Sequence, residues 1–249
     1  MQFIGIIPAR FASSRFPGKP LAKIGGKTMI RRVYEQALKC DLLNEVVVAT
    51  DDDRIYEHVH SFGRVVMTST LHRSGTDRCL EAFNIINKQN AYSDEDGLIN
   101  IQGDEPFVDP GQIAQLAGML QDPTKKIVSL VKKISSPEAF NNPNVVKVVR
   151  SLNGKALYFS RTAIPYLRND AMPAEHLPDH AYKHIGLYGF RISTLKKIAA
   201  MKAGALERTE SLEQLRWMEN GIDIYLSETF SESIAIDTPE DLKKITGIL

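Results

Sequence analysis

An α/β domain with parallel strands joined by helical crossovers is the fold this sequence predicts, and two observations predict it. Short β-rich runs alternate with helix-length amphipathic runs over residues 3–120, the order of βα units. Three of the strand-like runs also end in polar segments, PARFASSRFPGKP (8–20), DDD (51–53) and GDEP (103–106). In parallel sheets ligands collect beyond the carboxyl ends of the strands, so the crossover rule gathers these three segments on one rim.

Taken in order, FIGII (3–7) is the first strand. GGKT (25–28) is a turn leading to a helix cap at Thr28, and MIRRVYEQALKC (29–40) is the helix. EVVVAT (45–50) and DRIYEHVHSF (53–62) form the next strand and helix, followed by RVVMTS (64–69) with TDRCLEAFNII (76–86), and LINIQ (98–102) with GQIAQLAGML (111–120). After about residue 127 the pattern changes. IVSLVKKI, VVKVV, ALYFS and HIGLYGFRI, with the loop-like NDAMPAEHLPDH (169–180) among them, read as β-rich inserted structure, a substrate subdomain over about 127–200. TESLEQLRWMENG (209–221) reads as a helix ended by Gly221, IDIYLSE (222–228) as a strand, and TPEDLKKI (238–245) as a closing helix with Thr238 as N-cap and Pro239 in its first turn.

Composition limits what such a domain can do. The 249 residues suffice for a sizeable core, and 31 basic against 30 acidic residues leave a net charge of +1. No whole-molecule field recruits nucleic acid or an anionic membrane, so any anion site is local. Cys40 and Cys79 provide neither a disulfide framework nor zinc-ligand spacing, which suits a reducing compartment. MQFIGII lacks a basic n-region, and no segment approaches the roughly 20 apolar residues of a membrane span. A cytoplasmic location is expected.

The local anion site has an obvious candidate. Arg10, Arg15 and Lys19 follow the first strand with no acid between them, and Gly18 and the small residues there allow close backbone approach. Such a loop can wrap a polyphosphate with N–H groups and cationic side chains. A unit charge pair at 4 Å is worth about 4 kcal/mol at an effective dielectric of 20 before desolvation, so three cations suit a strongly anionic ligand. A solvated basic loop has the same composition; position after a buried strand favours the ligand. A Walker loop fails because Leu21 stands where its first glycine belongs, and Pro20 follows Lys19 where Ser or Thr should hold magnesium. No two glycines stand in a G-x-G relation, which argues against dinucleotide binding and hydride transfer.

Asp104 and Asp237 each lie just past a strand-like run, and two hard oxygen ligands together with phosphate oxygens are a common way to hold Mg²⁺. Turn or helix capping is the plain alternative for each, and Glu105 is assigned to a supporting or capping role. The histidines form no transition-metal site: His58 and His60 are two apart on a helix, and Pro178 interrupts His176 and His180. There is no G-x-S-x-G nucleophile elbow. Ser74 and Gly75 precede a helix whose terminal N–H groups, with Arg78, can meet a nucleotide; a helix cap is the equal alternative.

PARFASSRFPGKPL, ATDDDRI, HRSGTDR, NIQGDEP, NPNVVKVV, ALYFSR, KHIGLYGF, SLEQLR and IDTPEDL occur in the order seen in the 3-deoxy-manno-octulosonate (Kdo) cytidylyltransferases, or CMP-Kdo synthetases, and nearly the whole chain resembles that family. The resemblance implies a Rossmann-like nucleotide-diphospho-sugar transferase fold with a mixed, mostly parallel sheet, as one domain over 1–249 with a smaller sugar-binding and dimerising subdomain. It implies a Mg²⁺-dependent reaction of CTP with Kdo to give CMP-Kdo and diphosphate for lipopolysaccharide synthesis, and a homodimer. By the same resemblance Arg10, Arg15 and Lys19 would hold the triphosphate, with Arg10 and Lys19 catalytic beside the metal ligands Asp104 and Asp237. Thr50, Asp51, Ser74, Gly75, Arg78 and Gln102 would line the nucleotide pocket, and Arg161, His184, Tyr188, Glu213 and Gln214 would receive the sugar acid. Lys183 and Phe190 depart from the pattern, which has Arg and Tyr there; Lys183 keeps the charge but loses the planar fork. A transferase for a related sugar acid such as sialic acid, or a nucleotide-binding regulator without chemistry, would share many of these features.

Overall fold

The computed structural model describes residues 1–12, 16–72, 74–89, 91–168, 177–231, 236 and 238–246. Among these, β1 (Phe3–Ala9), β4 (Glu45–Thr50), β5 (Val65–Met67) and β6 (Gly97–Asn100) pair in parallel, in the order β6-β1-β4-β5. β10 (Tyr182–Arg191) then runs antiparallel between β6 and β7 (Ile127–Lys133), and β11 (Ile224–Glu228) pairs in parallel with β7 at the far edge. The parallel strands are those that the alternating runs predict, and the mixed, mostly parallel sheet as a whole is the one that the family resemblance implies.

The continuous apolar strands follow from burial on both faces. Along β1, Ile4 and Ile6 enter one core while Phe3 and Ile7 enter the other, and Val47 and Ala49 of β4 alternate with Val46 and Val48 in the same way. The first core is covered by α3 (Gly75–Ile86), α6 (Ile192–Ala199) and α8 (Glu213–Glu219), through Phe83, Leu195 and Trp217. The second lies under α1 (Met29–Ala37), α2 (Asp53–His60) and α4 (Pro110–Leu120), through Val33, Ile55 and Leu116. Each fully buried side chain of this kind stabilises the fold by about 1.5–3 kcal/mol before ordering entropy is charged against it.

Within 127–200, β7 and β10 are strands of the main sheet. The part set off its path is the antiparallel pair β8 (Lys147–Arg150) and β9 (Ala156–Ser160), joined through β8 to the start of β10 and preceded by α5 (Pro137–Asn141). Lys147 is buried at the start of β8 because its ammonium donates to the carbonyls of Asn142, Val145 and Arg161, at 2.8, 2.7 and 2.5 Å. Burial lowers its pKa.

Local expectations meet mixed outcomes. Gly25 and Gly26 both have positive φ, 53° and 82°, and close the β2 (Lys23–Ile24) and β3 (Lys27–Thr28) hairpin. Thr28 precedes α1, but its side chain makes no cap bond; Oγ1 instead meets His58 Nε2 at 2.8 Å, a tertiary partner that outcompetes the cap. The helix expected over 209–221 is two helices, α7 (Ala205–Glu210) and α8, because Ser211 turns left-handed at φ 52° between them. Gly221 ends α8 as expected. With φ 71° it donates to Met218 O at 2.9 Å while Ile222 donates to Trp217 O at 3.0 Å, a Schellman termination. The closing helix α9 (Pro239–Thr246) has Thr238 as its cap, whose Oγ1 accepts from Asp241 N–H at 3.2 Å. Among the described residues no helix is long and apolar enough to cross a membrane.

Candidate active site

The carboxyl ends of β1 and β6 lie side by side, and the segments leaving them wall a cavity of about 220 Å³. Arg10 follows β1 directly, and Lys19 opens a short 3₁₀ turn, Lys19–Leu21, after the left-handed Gly18. From the β6 side come Gln102, Gly103 and Asp104. Gly103 is needed where it stands: a Cβ there would lie 2.8 Å from Pro8 O, so any side chain would push the two segments apart. Lys19 Nζ donates to Asp104 Oδ2 at 2.7 Å, joining the basic loop to the acidic one.

The third wall is the start of α3. Ser74 caps this helix by accepting Asp77 N–H at 3.1 Å, so the capping reading of Ser74 holds; Ser74 and Gly75 also line the cavity. Arg78 lies one turn further in and is almost fully buried. Its Nη1 donates to Thr68 Oγ1 at 2.6 Å and its Nη2 to Asp51 Oδ2 at 2.7 Å. Thr68 Oγ1 in turn donates to Thr50 O at 3.0 Å. Thr50 and Asp51 therefore stand behind Arg78 and orient it, and neither lines the cavity. Gln102, which lines the cavity, donates from Nε2 to Gly186 O at 2.8 Å, which fixes the amide.

A second cavity of about 730 Å³ shares His72, Ser74 and Gly75 with the first and extends to Ser211, Glu213 and Arg216. Glu213 accepts from Thr76 Oγ1 and Arg216 Nη2, both at 3.0 Å, and burial, outweighing those donors, raises its pKa. Beneath it, Tyr188 of β10 lies opposite Asn100 of β6 and packs edge-on against Trp217, with centroids 5.3 Å apart. Among the described residues the Tyr188 hydroxyl and Asn100 Oδ1 are buried without hydrogen-bond partners, and burial raises the tyrosine pKa. Phe190 stacks on Tyr188 and meets Trp217 edge-on, so the ring lacking a hydroxyl fills core space.

His184 packs against Phe159 and Tyr188, and burial lowers its pKa to about 3. Its Nε2 lies 2.9 Å from Ser129 Oγ, and that hydroxyl is also 2.8 Å from Leu187 O and 3.1 Å from Ile185 O. A serine has one proton, which these carbonyls take, so the histidine carries hydrogen on Nε2 and keeps Nδ1 as an acceptor. Gln214 is buried and lines neither cavity. Arg161 is held by carbonyls, with Nε donating to Glu210 O at 2.7 Å and Nη1 to Pro143 O at 3.1 Å. Lys183 stands opposite Lys132 and Lys147 on the neighbouring strands.

Arg10, Lys19, Ser74, Gly75, Arg78, Gln102 and Asp104 thus share one cavity wall, drawn from three separate polar segments of the sequence. Arg15 and Asp237 lie outside the described residues. The donor set fits a hard cation in part: Asp104 presents an oxygen ligand, and Ile236 N–H bonds Asp104 O at 3.0 Å. Glu105 is buried. Among the described residues no three His, Cys, Asp or Glu side chains cluster for a metal. Sequence reasoning missed His72, which lines both cavities and pairs with Glu81, and Asn100, whose exposed-looking polarity hides in a buried strand. His72 opens HRSGTDR and Asn100 opens NIQGDEP, and that membership was the available signal.

Known proteins share much of this sequence and its fold. Residues 4–244 match the family described as Cytidylyltransferase. A 3-deoxy-manno-octulosonate cytidylyltransferase of Cytophaga hutchinsonii is 50% identical over 248 residues, covering 99% of this chain and 97% of the relative. One of Parabacteroides distasonis is 52% identical over 255 residues, covering 100% and 98%. The solved structure of a CMP:2-keto-3-deoxy-manno-octonic acid synthetase complexed with CTP superposes with a TM-score of 0.89 at 40% identity, covering 100% of this chain and 98% of that one. A 4-diphosphocytidyl-2C-methyl-D-erythritol synthase, at 13% identity and a TM-score of 0.66, shares the fold.

Proposed function

The chain belongs to the 3-deoxy-manno-octulosonate cytidylyltransferases of the cytidylyltransferase family, and from that premise we propose how its residues carry the reaction. The enzyme transfers a cytidylyl group from CTP to Kdo, giving CMP-Kdo and diphosphate. The observation that carries the residue assignment is the cavity at the carboxyl ends of β1 and β6, where Arg10, Lys19, Arg78 and Asp104 converge.

The sugar's anomeric hydroxyl attacks the α-phosphorus in line, the bond to the bridging oxygen breaks, and diphosphate leaves; the hydroxyl proton passes to solvent. Arg10, Arg15 and Lys19 hold the phosphate chain and stabilise the charge that moves onto the leaving group. Lys19 exchanges its Asp104 partner for a phosphate oxygen, and Asp104 is thereby freed to act as a ligand. Mg²⁺, held by Asp104 and Asp237, would supply Lewis-acid stabilisation of the phosphate oxygens and lower the hydroxyl's pKa. Ser74 and Gly75 at the start of α3 line the cavity, where a helix N-terminus suits an anionic nucleotide, and Arg78, braced by Asp51 and Thr68, presents a fixed guanidinium edge.

Kdo is received on the Glu213 side, where the second cavity adjoins the first through His72, Ser74 and Gly75. Glu213 accepts sugar hydroxyls, and His184 Nδ1 and the buried Tyr188 hydroxyl, set behind the lining of the two cavities, supply neutral hydrogen-bonding groups. Arg161 and Gln214 brace this side through carbonyl contacts and burial. Holding both reactants in adjoining cavities removes most of the entropic barrier to their meeting. Solvent-exposed Leu157 on β9, with Leu152 and Tyr166 beside the β8–β9 pair, offers apolar surface for a homodimer. The product serves as activated Kdo for lipopolysaccharide synthesis in the cytoplasm.

Adding CTP, Mg²⁺ and Kdo to the purified protein tests this reading: diphosphate should appear in equal amount with CMP-Kdo. Release that is absent, or that proceeds equally well without Kdo, contradicts it.

A further inference from the structure

We propose that Arg54 is a positioning residue for the triphosphate loop and acts through Phe11. The inference rests on the reading of Arg10 and Lys19 as phosphate-holding groups. Arg54 lies at the start of α2, with its Cζ 3.3 Å from the centroid of the Phe11 ring. The guanidinium plane is fixed by Asp52, which accepts Nε at 3.0 Å and Nη2 at 2.6 Å. Asp52 is itself anchored: its carboxylate accepts Arg54 N–H at 3.0 Å as the helix cap, and its own N–H donates to Thr50 Oγ1 at 3.3 Å at the end of β4. A rigid path therefore runs from the sheet through Asp52 and Arg54 to the Phe11 ring.

Phe11 in turn decides the shape of the loop. Its carbonyl accepts Gly18 N–H at 3.0 Å, so the two ends of the 11–18 segment are tied together. Gly18 has φ 72°, and a Cβ there would lie 2.9 Å from Phe11 Cζ, so the ring packs on the glycine backbone itself. Arg10 precedes the first of these residues and Lys19 follows the second. Pinning Phe11 therefore sets the separation of the two cations that line the cavity. Arg54 does not line it, and its side chain is 60% exposed. A flat guanidinium stacked on an aromatic face and forked onto a carboxylate is a geometry that lysine cannot reproduce.

The test uses the full chain with Arg54→Ala, Arg54→Lys, Phe11→Leu and the Phe11→Leu/Arg54→Ala double variant. Hydrogen exchange of the unliganded protein reads the latch without nucleotide: the Gly18 amide should exchange several-fold faster in Arg54→Ala. Calorimetry with CTP should show about fivefold weaker binding, about 1 kcal/mol, while KM for Kdo and the melting temperature stay at parental values. Arg54→Lys should bind CTP as weakly as Arg54→Ala, and Arg54→Ala should add nothing in the Phe11→Leu background. Unchanged Gly18 exchange, CTP affinity equal to the parent, a lysine variant matching the parent, or additive effects in the double variant would each overturn the proposal. A parent protein that binds no CTP would instead overturn the reading on which the proposal rests.

Discussion

Around β1 and β6 the site is made of full charges, Lys19 against Asp104 at the cavity wall and Arg78 against Asp51 in a mostly buried pair behind it. Around β10 and α8 it is made of groups set back from water, His184 held neutral between the Phe159 and Tyr188 rings and Glu213 half-buried beside Thr76 and Arg216. The first region can recognise a polyphosphate because its internal ion pairs are able to change partners. The second can recognise a hydroxyl-rich sugar because its donors and acceptors are fixed by packing and give little to bulk water. Two chemistries of recognition thus share one rim, and each predicts its own pattern of damage.

The largest effect should come from breaking the charged side. Asp104→Asn should lower kcat/KM by about 10²–10³ at saturating Mg²⁺ while the melting temperature changes by a few degrees at most; steady-state kinetics and thermal melts check both, and near-parental turnover would remove Asp104 from the reaction. Arg78→Met strikes the same side from behind. It leaves the Asp51 carboxylate without its partner and should cost about 3 kcal/mol in urea unfolding, because breaking a mostly buried pair strands a charge.

The neutral side should show itself through pH. Burial holds the folded-state pKa of His184 near 3, below the unfolded value of about 6.5, so the unfolded chain binds the extra proton in that interval. The stabilisation is complete above about pH 6.5 and is lost progressively as pH falls toward 3, reaching up to about 2 kcal/mol by pH 5. Denaturant midpoints measured from pH 7.5 to 4.5 should fall more steeply for the parent than for His184→Gln; parallel curves would show that the ring is not held neutral by burial. The smallest effect sharpens the division of labour: Glu213→Gln should raise KM for Kdo about fivefold and leave KM for CTP unchanged.

The difference between the regions also explains what the sequence made legible. The charged rim is written locally. Arg10 and Asp104 each follow an apolar run within a few residues, Lys19 lies in the same polar segment as Arg10, and the βα order alone puts those run ends together. Gly25, Gly26 and Gly221 announced their turns because each needs positive φ. The neutral side is written at long range. That Tyr188 faces Asn100 depends on β10 entering the sheet antiparallel beside β6, a pairing that no local pattern specifies. Lys147 hides inside VVKVV because three carbonyls, one from residue 161, satisfy it. Ser211 divided an apparently continuous helix without a glycine to mark the break, and Thr28 gave up its cap for His58. Thr50 and Asp51 lie in the right strand end, yet their role behind Arg78 rests on a side chain 27 residues away from Asp51.

The division turns on whether the cations at the end of β1 read the phosphate chain of CTP. Titration calorimetry of CTP against CMP, in the parent and in Lys19→Ala, measures this directly. The account predicts that the parent prefers CTP by at least about tenfold and that Lys19→Ala loses most of that preference while its affinity for CMP is kept. A Lys19→Ala protein that still prefers CTP as strongly as the parent would contradict it.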